Sequence, residues 1–286
     1  GGGGGAGRRR LVFRARRTEV VKACIFKVYD DCRQDALALQ VIKLCQSVFA
    51  LSGLDLPLFP YRVIPARVGP NQAVGGIIEV VPNCESRDGL GKKGIRSLFQ
   101  HFSQAFGRPD GRRFATARDN FKRSLAAYAI VCYLLRIRDR HNGNVLIDDR
   151  GHIVHIDFGF LLGISPGGNL GFEKPIFKFT REMVDVLGGG EESEAYQEFV
   201  ELCVRAYLAA RHHMELICAL VSSFADSGLP CFYFKDTLRW LRERFVPHLD
   251  DFDAAKDLRH HIAWARDNLY TKIYDEVQWR QNRIEY

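Results

Sequence analysis

The sequence has no hydrophobic run long enough to cross a lipid bilayer. Its longest nearly apolar stretch, residues 125–135, falls well short of the roughly 20 residues that a membrane-spanning helix needs. It also has no signal-peptide pattern of a basic segment followed by an apolar one. We therefore expect a soluble, cytoplasmic protein that meets a membrane only at its surface.

The sequence also has no recognisable metal-binding cysteine pattern. Its eight cysteines are scattered, with no Cys-x-x-Cys pair and no histidine nearby at the spacing of metal ligands. This distribution argues against a zinc site and indicates reduced thiols in a cytosolic protein. No internal repeat is evident, and 286 residues with 47% hydrophobic composition can bury the core of one large domain or of two lobes.

Positive charge is unevenly placed along the chain. The formal net charge is +7, and residues 8–22 and 87–123 are both strongly basic, so the remainder is acidic overall. By electrostatics alone such patches suit an anionic membrane surface or a nucleic acid, and a solvated surface is the third interpretation. We expect no nucleic-acid partner, because neither interleaved aromatic residues nor a nucleic-acid-binding motif accompanies the charge.

Residues 138–160 are the most informative stretch. Two short apolar runs frame a tight polar turn at residues 148–151, which predicts a hairpin that brings two polar loops side by side. In the first loop, Asp139 and Asn144 keep the Asp-x-x-x-x-Asn spacing of a kinase catalytic loop. In the second, Asp157 begins an Asp-Phe-Gly, the motif whose carboxylate holds magnesium on nucleotide phosphates. Alone each motif would be weak, but together and in this order they predict phosphoryl transfer.

The pattern of the chain predicts an α+β fold with two lobes. Residues 20–28 predict a strand with Lys27 near its end, where a kinase strand carries its phosphate-binding lysine. A helix at residues 36–51 and a strand at residues 77–81 complete a small mixed α/β lobe, residues 20–81, with no recognisable strands before it. Residues 82–286 predict a larger, mainly helical lobe, with the nucleotide in the cleft between the two. Its helices are expected at residues 117–137, 194–211, 213–224, 235–246 and 253–283.

Several motifs together resemble one kinase superfamily. Asp-Arg-His at residues 139–141 reverses the His-Arg-Asp of ordinary protein kinases, and His-Ile-Asp-Phe-Gly follows it at residues 155–159. With Asp-Asp-Cys-Arg-Gln-Asp at residues 30–35, this resembles the phosphoinositide 3-/4-kinase superfamily, which includes the large TOR-like protein kinases. Further segments make residues 22–286 similar to the alpha branch of the type III phosphatidylinositol 4-kinases: GLDLPLFPYR, SPGGNLGFE, EMVDVLGG and GLPCF.

The resemblance implies an enzyme that transfers the γ-phosphate of ATP to the 4-hydroxyl of phosphatidylinositol. It implies that Lys27 neutralises phosphate charge and that main-chain groups of Glu79 and Val81 hydrogen-bond adenine at the hinge between the lobes. Asp35 and Tyr61 would line the inner end of the nucleotide pocket.

The resemblance also implies the roles of the catalytic loop. Asn144 and Asp157 would hold Mg²⁺, and Asp139 and His141 would share the work at the inositol hydroxyl. Which of the two is the base stays open, because a histidine with an ordinary pKa near 6.5 can either take a proton or stabilise the migrating phosphoryl group. Arg140 between them is expected to be structural, paired with a neighbouring carboxylate.

The implied partners are phosphatidylinositol and an anionic membrane surface, with the plasma membrane as the implied location. The sequence is silent on regulatory protein subunits, which the resemblance leaves open. In the family, residues 160–180 face the inositol headgroup. Their only cations are Lys174 and Lys178, too few to pair the phosphates of an already phosphorylated headgroup, so the unphosphorylated lipid is the expected substrate. A terminal helix that includes Trp279 is expected to help engage lipid.

Two departures from the family pattern keep alternatives open. Tyr29 stands where the family has Gly, and a glycine there could permit a backbone conformation that Tyr adopts only with strain. The phosphate-covering loop expected before Val20 is replaced by glycine and arginine, so residues 1–19 are expected to be flexible. The alternatives are an inactive or truncated kinase-like scaffold, a fragment of a longer protein, a phosphatidylinositol 3-kinase or a TOR-like protein kinase.

Overall fold

The computed structural model describes residues 21–69, 71–164 and 176–267. Its strands are Cys24–Val28 (β1), Val63–Val68 (β2), Ala73–Glu79 (β3), Cys84–Ser86 (β4), Val145–Asp148 (β5) and Ile153–His155 (β6). Its α-helices are Arg33–Leu51 (α1), Arg87–Lys92 (α2), Leu98–Phe106 (α3), Arg112–Leu135 (α4), Arg181–Val186 (α5), Glu194–His212 (α6), Met214–Ser222 (α7), Thr237–Glu243 (α8) and Asp251–Asp267 (α9). Short 3₁₀ helices span Asn142–Asn144 and Pro230–Phe232.

The first sheet is antiparallel, in the order β1-β3-β2. Its central strand carries glycines, and Gly76 pairs with Lys27 on one side and with Pro65 on the other. Pro65 is tolerated within β2 because that strand lies at the edge of the sheet, where a missing N–H breaks no ladder among the described strands. The strand β2 was not predicted.

Helix α1 packs beside this sheet and also contacts α6 and α7. Its apolar stripe, including Leu37, Val41 and Val48, is buried as the helical spacing predicted. The helix begins at Arg33 rather than at residue 36. Asp31 accepts a hydrogen bond from the Arg33 N–H at 3.1 Å, so the first turn has a local partner that apolar periodicity does not reveal.

The second sheet has the order β4-β5-β6, and β5 and β6 form the predicted hairpin. Asp148 fixes its turn, because one carboxylate oxygen accepts from the N–H groups of Arg150 at 2.9 Å and His152 at 2.7 Å. Gly151 has a φ of +90°, and a Cβ there would lie 2.8 Å from the carbonyl oxygen of Ala117. The hairpin is therefore held against α4 by a close approach that only glycine allows.

Helix α4 is the central helix of the core, with nearly every residue from Leu125 to its end buried. It packs against α6, which in turn packs against α9. The last residue of α4 is Leu135, two residues earlier than predicted, because Arg136 adopts a left-handed conformation with a φ of 49°. This turn directs the chain into residues 137–144, the first polar loop.

The remaining helices agree with the predictions in existence but not always in length. Helices α6 and α7 lie within one or two residues of their predicted bounds, α8 is shorter, and the part of α9 predicted beyond residue 267 lies outside the described residues. The short helices α2, α3 and α5 and the strand β4 were not predicted. No described helix is long and apolar enough to cross a membrane.

The architecture is the predicted α+β arrangement, with a small sheet and one helix before residue 80 and a largely helical body after it. The division near residue 81 stays a prediction, although β3 ends at Glu79 and β4 begins at Cys84. All eight cysteines lie in the described part of the chain, and none forms a disulfide.

Candidate active site

The hairpin brings the two polar loops together. The N–H of Arg138 donates to the carbonyl of Phe160 at 2.9 Å, and the N–H of Ile156 donates to the carbonyl of Asn144 at 3.2 Å. Two main-chain bonds therefore tie residues 138–144 to the Asp-Phe-Gly segment. This confirms the predicted hairpin and fixes the spacing between the two loops.

Arg140 is the side chain that locks this pair of loops. It is buried, and its guanidinium donates to the carbonyls of Arg138 at 2.9 Å and Ile156 at 2.7 Å and to that of Asp157. The same guanidinium lies 5.5 Å from the centre of the Phe158 ring. The expectation that Arg140 is structural agrees with these contacts, but its hydrogen-bond partners are main-chain carbonyls and not a carboxylate.

Asp139 and Asp157 occupy corresponding places in the two loops, and both have left-handed backbone conformations, with φ values of 59° and 61°. Such conformations in non-glycine residues are strained and persist only where the surroundings impose them. The Asn144 side-chain N–H donates to the carbonyl of Asp139 at 3.0 Å. That bond fixes the orientation of the Asn144 side-chain amide, and the amide oxygen is then the atom that can bind a cation.

His141 is held in one orientation by its own loop. Its Nδ1 accepts a hydrogen bond from the Gly143 N–H at 3.0 Å, so the neutral ring carries its proton on Nε2. Burial lowers the pKa of His141, and the cations Arg140 and Lys178 add to this effect while the carboxylates Asp139 and Asp157 oppose it. The neutral form with a donating Nε2–H is therefore the form present near pH 7.

The first turn of α1 holds the Asp-Phe-Gly segment from the other side. Asp35 accepts from the N–H of Phe158 at 2.7 Å, and the Gln34 amide donates to the carbonyl of Gly159 at 2.5 Å. The side-chain oxygen of Gln34 accepts a hydrogen bond from the N–H of Cys231 at 3.0 Å. Gln34 therefore links the Asp-Phe-Gly segment to the turn before α8. Burial raises the pKa of Asp35, and the charge of Asp157 raises it further.

Gln34 is a site residue that the sequence reasoning did not single out. Its only signal was its place in the Arg-Gln-Asp motif, and the hydrogen bond to Cys231 spans a sequence separation that no local pattern shows.

Tyr61 also reaches the Asp-Phe-Gly segment. Its hydroxyl oxygen accepts from the N–H of Asp157 at 3.2 Å, and its ring stacks on Phe158 with centroids 6.3 Å apart. Tyr61 is buried, and burial raises its pKa, so the hydroxyl stays neutral. The expected pair of Asp35 and Tyr61 thus lies together behind Asp157.

Lys27 is the fourth of the five residues of β1. Its ammonium pairs with Asp30 at 2.8 Å. Burial opposes the charged form, but Asp30, Asp157 and Asp35 outweigh it and raise the pKa of Lys27. Asp157 is therefore among the carboxylates that favour the charged form of Lys27, as expected of groups that share a phosphate.

Glu79 is the last residue of β3, and Val81 lies in the connection from β3 to β4. The N–H of Glu79 donates to the carbonyl of Arg62 at 2.8 Å, and the Glu79 carboxylate pairs with Lys22 and accepts from the Arg62 N–H at 3.0 Å. The side chain of Glu79 is therefore fully engaged within the first sheet. Among the described residues, the N–H of Val81 donates no hydrogen bond.

The two loops thus bring Asp139, His141, Asn144 and Asp157 together, and Asp35 and Tyr61 hold the Asp-Phe-Gly segment. The link of Lys27 to this group is the charge of Asp157 and Asp35, which helps to raise its pKa. Lys178 is buried and donates to the side-chain oxygen of Asn142 at 2.8 Å. Lys174 and Trp279 lie outside the described residues.

Comparison with known proteins identifies the family. The family described as "Phosphatidylinositol 3- and 4-kinase" matches residues 22–234. The chain belongs to this family. It is 46% identical to phosphatidylinositol 4-kinase STT4 of Saccharomyces cerevisiae over 276 residues, which are 96% of this chain and 14% of that protein.

Other relatives of the chain are also named phosphatidylinositol 4-kinases, one of the alpha and one of the beta type. Phosphatidylinositol 4-kinase alpha 1 of Arabidopsis thaliana is 47% identical over 266 residues, 92% of this chain and 13% of that protein. Phosphatidylinositol 4-kinase beta of Xenopus tropicalis is 39% identical over 261 residues, 91% of this chain and 32% of that protein. The chain therefore spans about one seventh of the length of the Saccharomyces cerevisiae protein and of the Arabidopsis thaliana alpha 1 protein.

Proposed function

We propose that this chain is the catalytic portion of a phosphatidylinositol 4-kinase, which transfers the γ-phosphate of ATP to the 4-hydroxyl of phosphatidylinositol. The observation that carries the proposal is the pairing of the loop that holds Asp139, His141 and Asn144 with the segment that begins at Asp157, in a chain whose relatives are named phosphatidylinositol 4-kinases. Neither a phosphatidylinositol 3-kinase nor a TOR-like protein kinase is favoured by those relatives.

A lipid kinase domain implies the use of ATP, and the site offers partners for each part of the nucleotide. The Glu79 N–H is already used, so the carbonyl of Glu79 and the N–H of Val81 are the hinge groups available to an adenine edge. Asp35 and Tyr61 bound the inner end of the pocket by holding the Asp-Phe-Gly segment. Lys27 would supply the positive charge for the phosphates.

The residues fit a magnesium ion. The Asn144 amide nitrogen donates to the carbonyl of Asp139, which leaves the amide oxygen free to act as a hard ligand. The main chain of Asp157, which carries the second ligand, is held by hydrogen bonds to Arg140 and Tyr61. Asn144 and Asp157 would hold the ion. When bound, Mg²⁺ neutralises phosphate charge and orients the transferred group.

For the inositol hydroxyl, we assign Asp139 as the proton acceptor and His141 as a hydrogen-bond donor. Because Nδ1 of His141 accepts from Gly143, its only proton in the neutral ring is on Nε2. A donor at that place stabilises charge on the migrating phosphoryl group without itself taking up a proton. Asp139, the one carboxylate in residues 138–144, then receives the proton of the hydroxyl.

The proposed protein would act at the cytoplasmic surface of a membrane, because its lipid substrate lies there. The plasma membrane and regulatory protein subunits remain expectations from the resemblance.

The proposal is tested by incubating the chain with MgATP and phosphatidylinositol vesicles. We expect phosphatidylinositol 4-phosphate, identified by the position of the phosphate on the ring. Asp157→Ala should abolish turnover, because it removes a carboxylate that holds the ion, while the melting temperature changes little.

Asp149→Ala is the matched control, since Asp149 is an exposed aspartate of the hairpin turn away from the two loops. A well-folded chain with no magnesium-dependent ATP affinity by calorimetry would instead support the inactive scaffold, the alternative that the strained Tyr29 favours.

A further inference from the structure

A groove lies between α1 and β2, the edge strand of the first sheet on the side away from β1, and we call it the α1–β2 groove. Its volume is about 700 Å³, within the range of cavities that bind ligands. Its apolar walls come from α1, from the loop before β2 and from β2 itself, and they include Leu39, Leu58, Tyr61 and Val63. The Gln46 amide, which also lines the groove, donates to the carbonyl of Leu58 at 2.9 Å and so holds that loop against α1.

The lining of the α1–β2 groove carries more positive than negative charge. Its cations are Lys22, Lys43 and Arg62, and Glu79 is the one carboxylate among the described residues that line it. Glu79 is paired with Lys22 and accepts from the Arg62 N–H at 3.0 Å, so its charge is already engaged. Within the described part of the chain, the ammonium of Lys43 and the guanidinium of Arg62 have no ion-pair partner, and both residues are exposed. The groove therefore suits an anionic ligand that also carries apolar groups.

The main chain of β2 offers hydrogen-bonding groups along the groove. Among the described strands, β2 is paired on one side only, with β3. The carbonyl of Arg62 accepts from the N–H of Glu79, and the direction of such groups alternates along an antiparallel strand. The N–H and carbonyl of Val63 therefore point away from β3. Pro65 agrees with this alternation, because a residue without an N–H fits an outward-facing position.

A free strand edge beside apolar walls favours one class of ligand. An extended peptide forms main-chain hydrogen bonds with such an edge and places alternate side chains in the neighbouring pockets. A nucleic acid has no peptide groups that would continue the sheet, and a bilayer surface is too flat to enter a concave groove. The shape and the main chain of the groove therefore select a peptide among the anionic ligands that its charge alone would allow.

The α1–β2 groove shares both of its walls with the candidate active site. Tyr61 lines the groove, while its hydroxyl accepts from the N–H of Asp157 and its ring stacks on Phe158. Helix α1 holds the same segment through Gln34 and Asp35. A ligand in the groove would therefore contact both elements that position the Asp-Phe-Gly segment.

We propose that the α1–β2 groove binds an acidic, extended peptide segment of a partner protein, which adds to β2 as a further strand. Apolar side chains of the segment lie between β2 and α1, and its carboxylates pair with Lys43 and Arg62. The proposal does not depend on the proposed function, because it concerns the binding of a partner and not the transfer of a phosphate.

The test measures peptide binding without ATP, by fluorescence anisotropy. The labelled peptide EFELEFE alternates acidic and apolar residues as a strand requires, and KFKLKFK keeps the apolar residues while reversing the charge. The groove variant combines Lys43→Glu with Arg62→Glu. The control combines Arg205→Glu with Lys256→Glu, which makes the same change in net charge at exposed positions outside the groove. Melting temperatures show that both variants are folded.

We expect EFELEFE to bind the original chain and the control about equally well and to bind the groove variant roughly tenfold or more weakly. The reason is that two attractive charge pairs become repulsive. KFKLKFK should bind the original chain more weakly than EFELEFE does. Equal affinities of the groove variant and the control for EFELEFE would overturn the proposal.

Amide hydrogen exchange tests the added strand. Bound EFELEFE should slow exchange within residues 62–68, which contain the outward N–H of Val63, and leave the hairpin of β5 and β6 unchanged. Binding without slower exchange in residues 62–68 would contradict strand addition. So would tighter binding of single-stranded RNA or of anionic vesicles than of EFELEFE, if the groove variant loses it, because the groove would then have a different occupant.

Discussion

Tyr29 shows how a single residue can depart from its family and remain strained. Its φ is 64°, the left-handed region that a glycine would occupy freely, and its side chain is 80% exposed, so the ring makes little contact that offsets the strain. A non-glycine residue in that conformation costs about 1–2 kcal/mol. The expectation of strain is therefore confirmed. Asp139 and Asp157 have the same conformation, but their strain lies at the site itself.

At His141, the proposed donor role predicts the pH dependence of turnover. Burial lowers the pKa of His141, so the neutral ring persists below its ordinary value of about 6.5. We expect kcat to stay level as the pH falls from about 7.5 to about 6.5 and to decline only below that range. The profile is measured at saturating ATP and lipid.

Substitution separates the donor from the base. His141→Gln keeps a hydrogen-bond donor but no base, so it should keep more activity than His141→Ala, which we expect to lose roughly 10²–10³-fold in kcat. Asp139→Asn should lose at least as much as His141→Ala. The assignment is wrong if His141→Gln is as inactive as His141→Ala while Asp139→Asn is active.

At the scale of elements, the sequence predicted those whose pattern is local and strong. The hairpin of β5 and β6 was predicted because two apolar runs frame a polar turn, and the long helices because their apolar residues recur at helical spacing. Helices α2 and α5 have only six residues each, too few for a periodic signal. Their position depends on tertiary contacts such as the Arg87–Glu182 pair.

The first turn of α1 is expected to position the Asp-Phe-Gly segment through Gln34. Gln34→Glu keeps the shape and the acceptor for Cys231 but loses the donor to Gly159 and places a second carboxylate beside Asp35. A lost buried hydrogen bond costs about 1–3 kcal/mol, which corresponds to roughly 5–150-fold if the whole cost falls on kcat. We expect kcat to drop by that factor with little change in the KM for ATP.

Gln46→Glu is the matched control on the same helix. The Gln46 amide also donates to a main-chain carbonyl, that of Leu58 at 2.9 Å, but far from the Asp-Phe-Gly segment. A purely structural role for Gln34 would give both variants similar losses of melting temperature and similar kcat. A positioning role requires that only Gln34→Glu changes kcat.

At the scale of the whole molecule, the site joins pieces that are far apart in sequence. Motifs supplied the identities of Lys27, Asp139, Asn144 and Asp157, because kinase chemistry requires those groups in that order. Their mutual placement depends on contacts that no motif shows, such as the bond from Gln34 to Cys231. Arg140 could be assigned a structural role from sequence, but its carbonyl partners are defined only by the folded loops.

The distribution of charge over the whole molecule predicts which lipid is accepted. Lys178, one of the two cations expected near the headgroup, is buried and donates a hydrogen bond to Asn142. Arg87, at the start of α2, is also buried and is paired with Glu182. A second ring phosphate would bring nearly two negative charges next to the ATP phosphates, and the desolvation cost would not be recovered without cations to pair them.

We therefore expect phosphatidylinositol to be phosphorylated at least about tenfold faster than its 4-phosphate or 4,5-bisphosphate at equal surface density. Phosphatidylserine is added to the vesicles that carry phosphatidylinositol until the surface charge of all vesicles matches, because a chain with a net charge of +7 would otherwise bind more tightly to the vesicles with the more anionic lipid and hide the preference of the site. Under matched charge, any remaining difference in rate comes from the headgroup in the cleft. A faster rate on either phosphorylated lipid would mean that cations outside the described residues, such as Lys174, supply the missing pairing and that the substrate assignment is wrong.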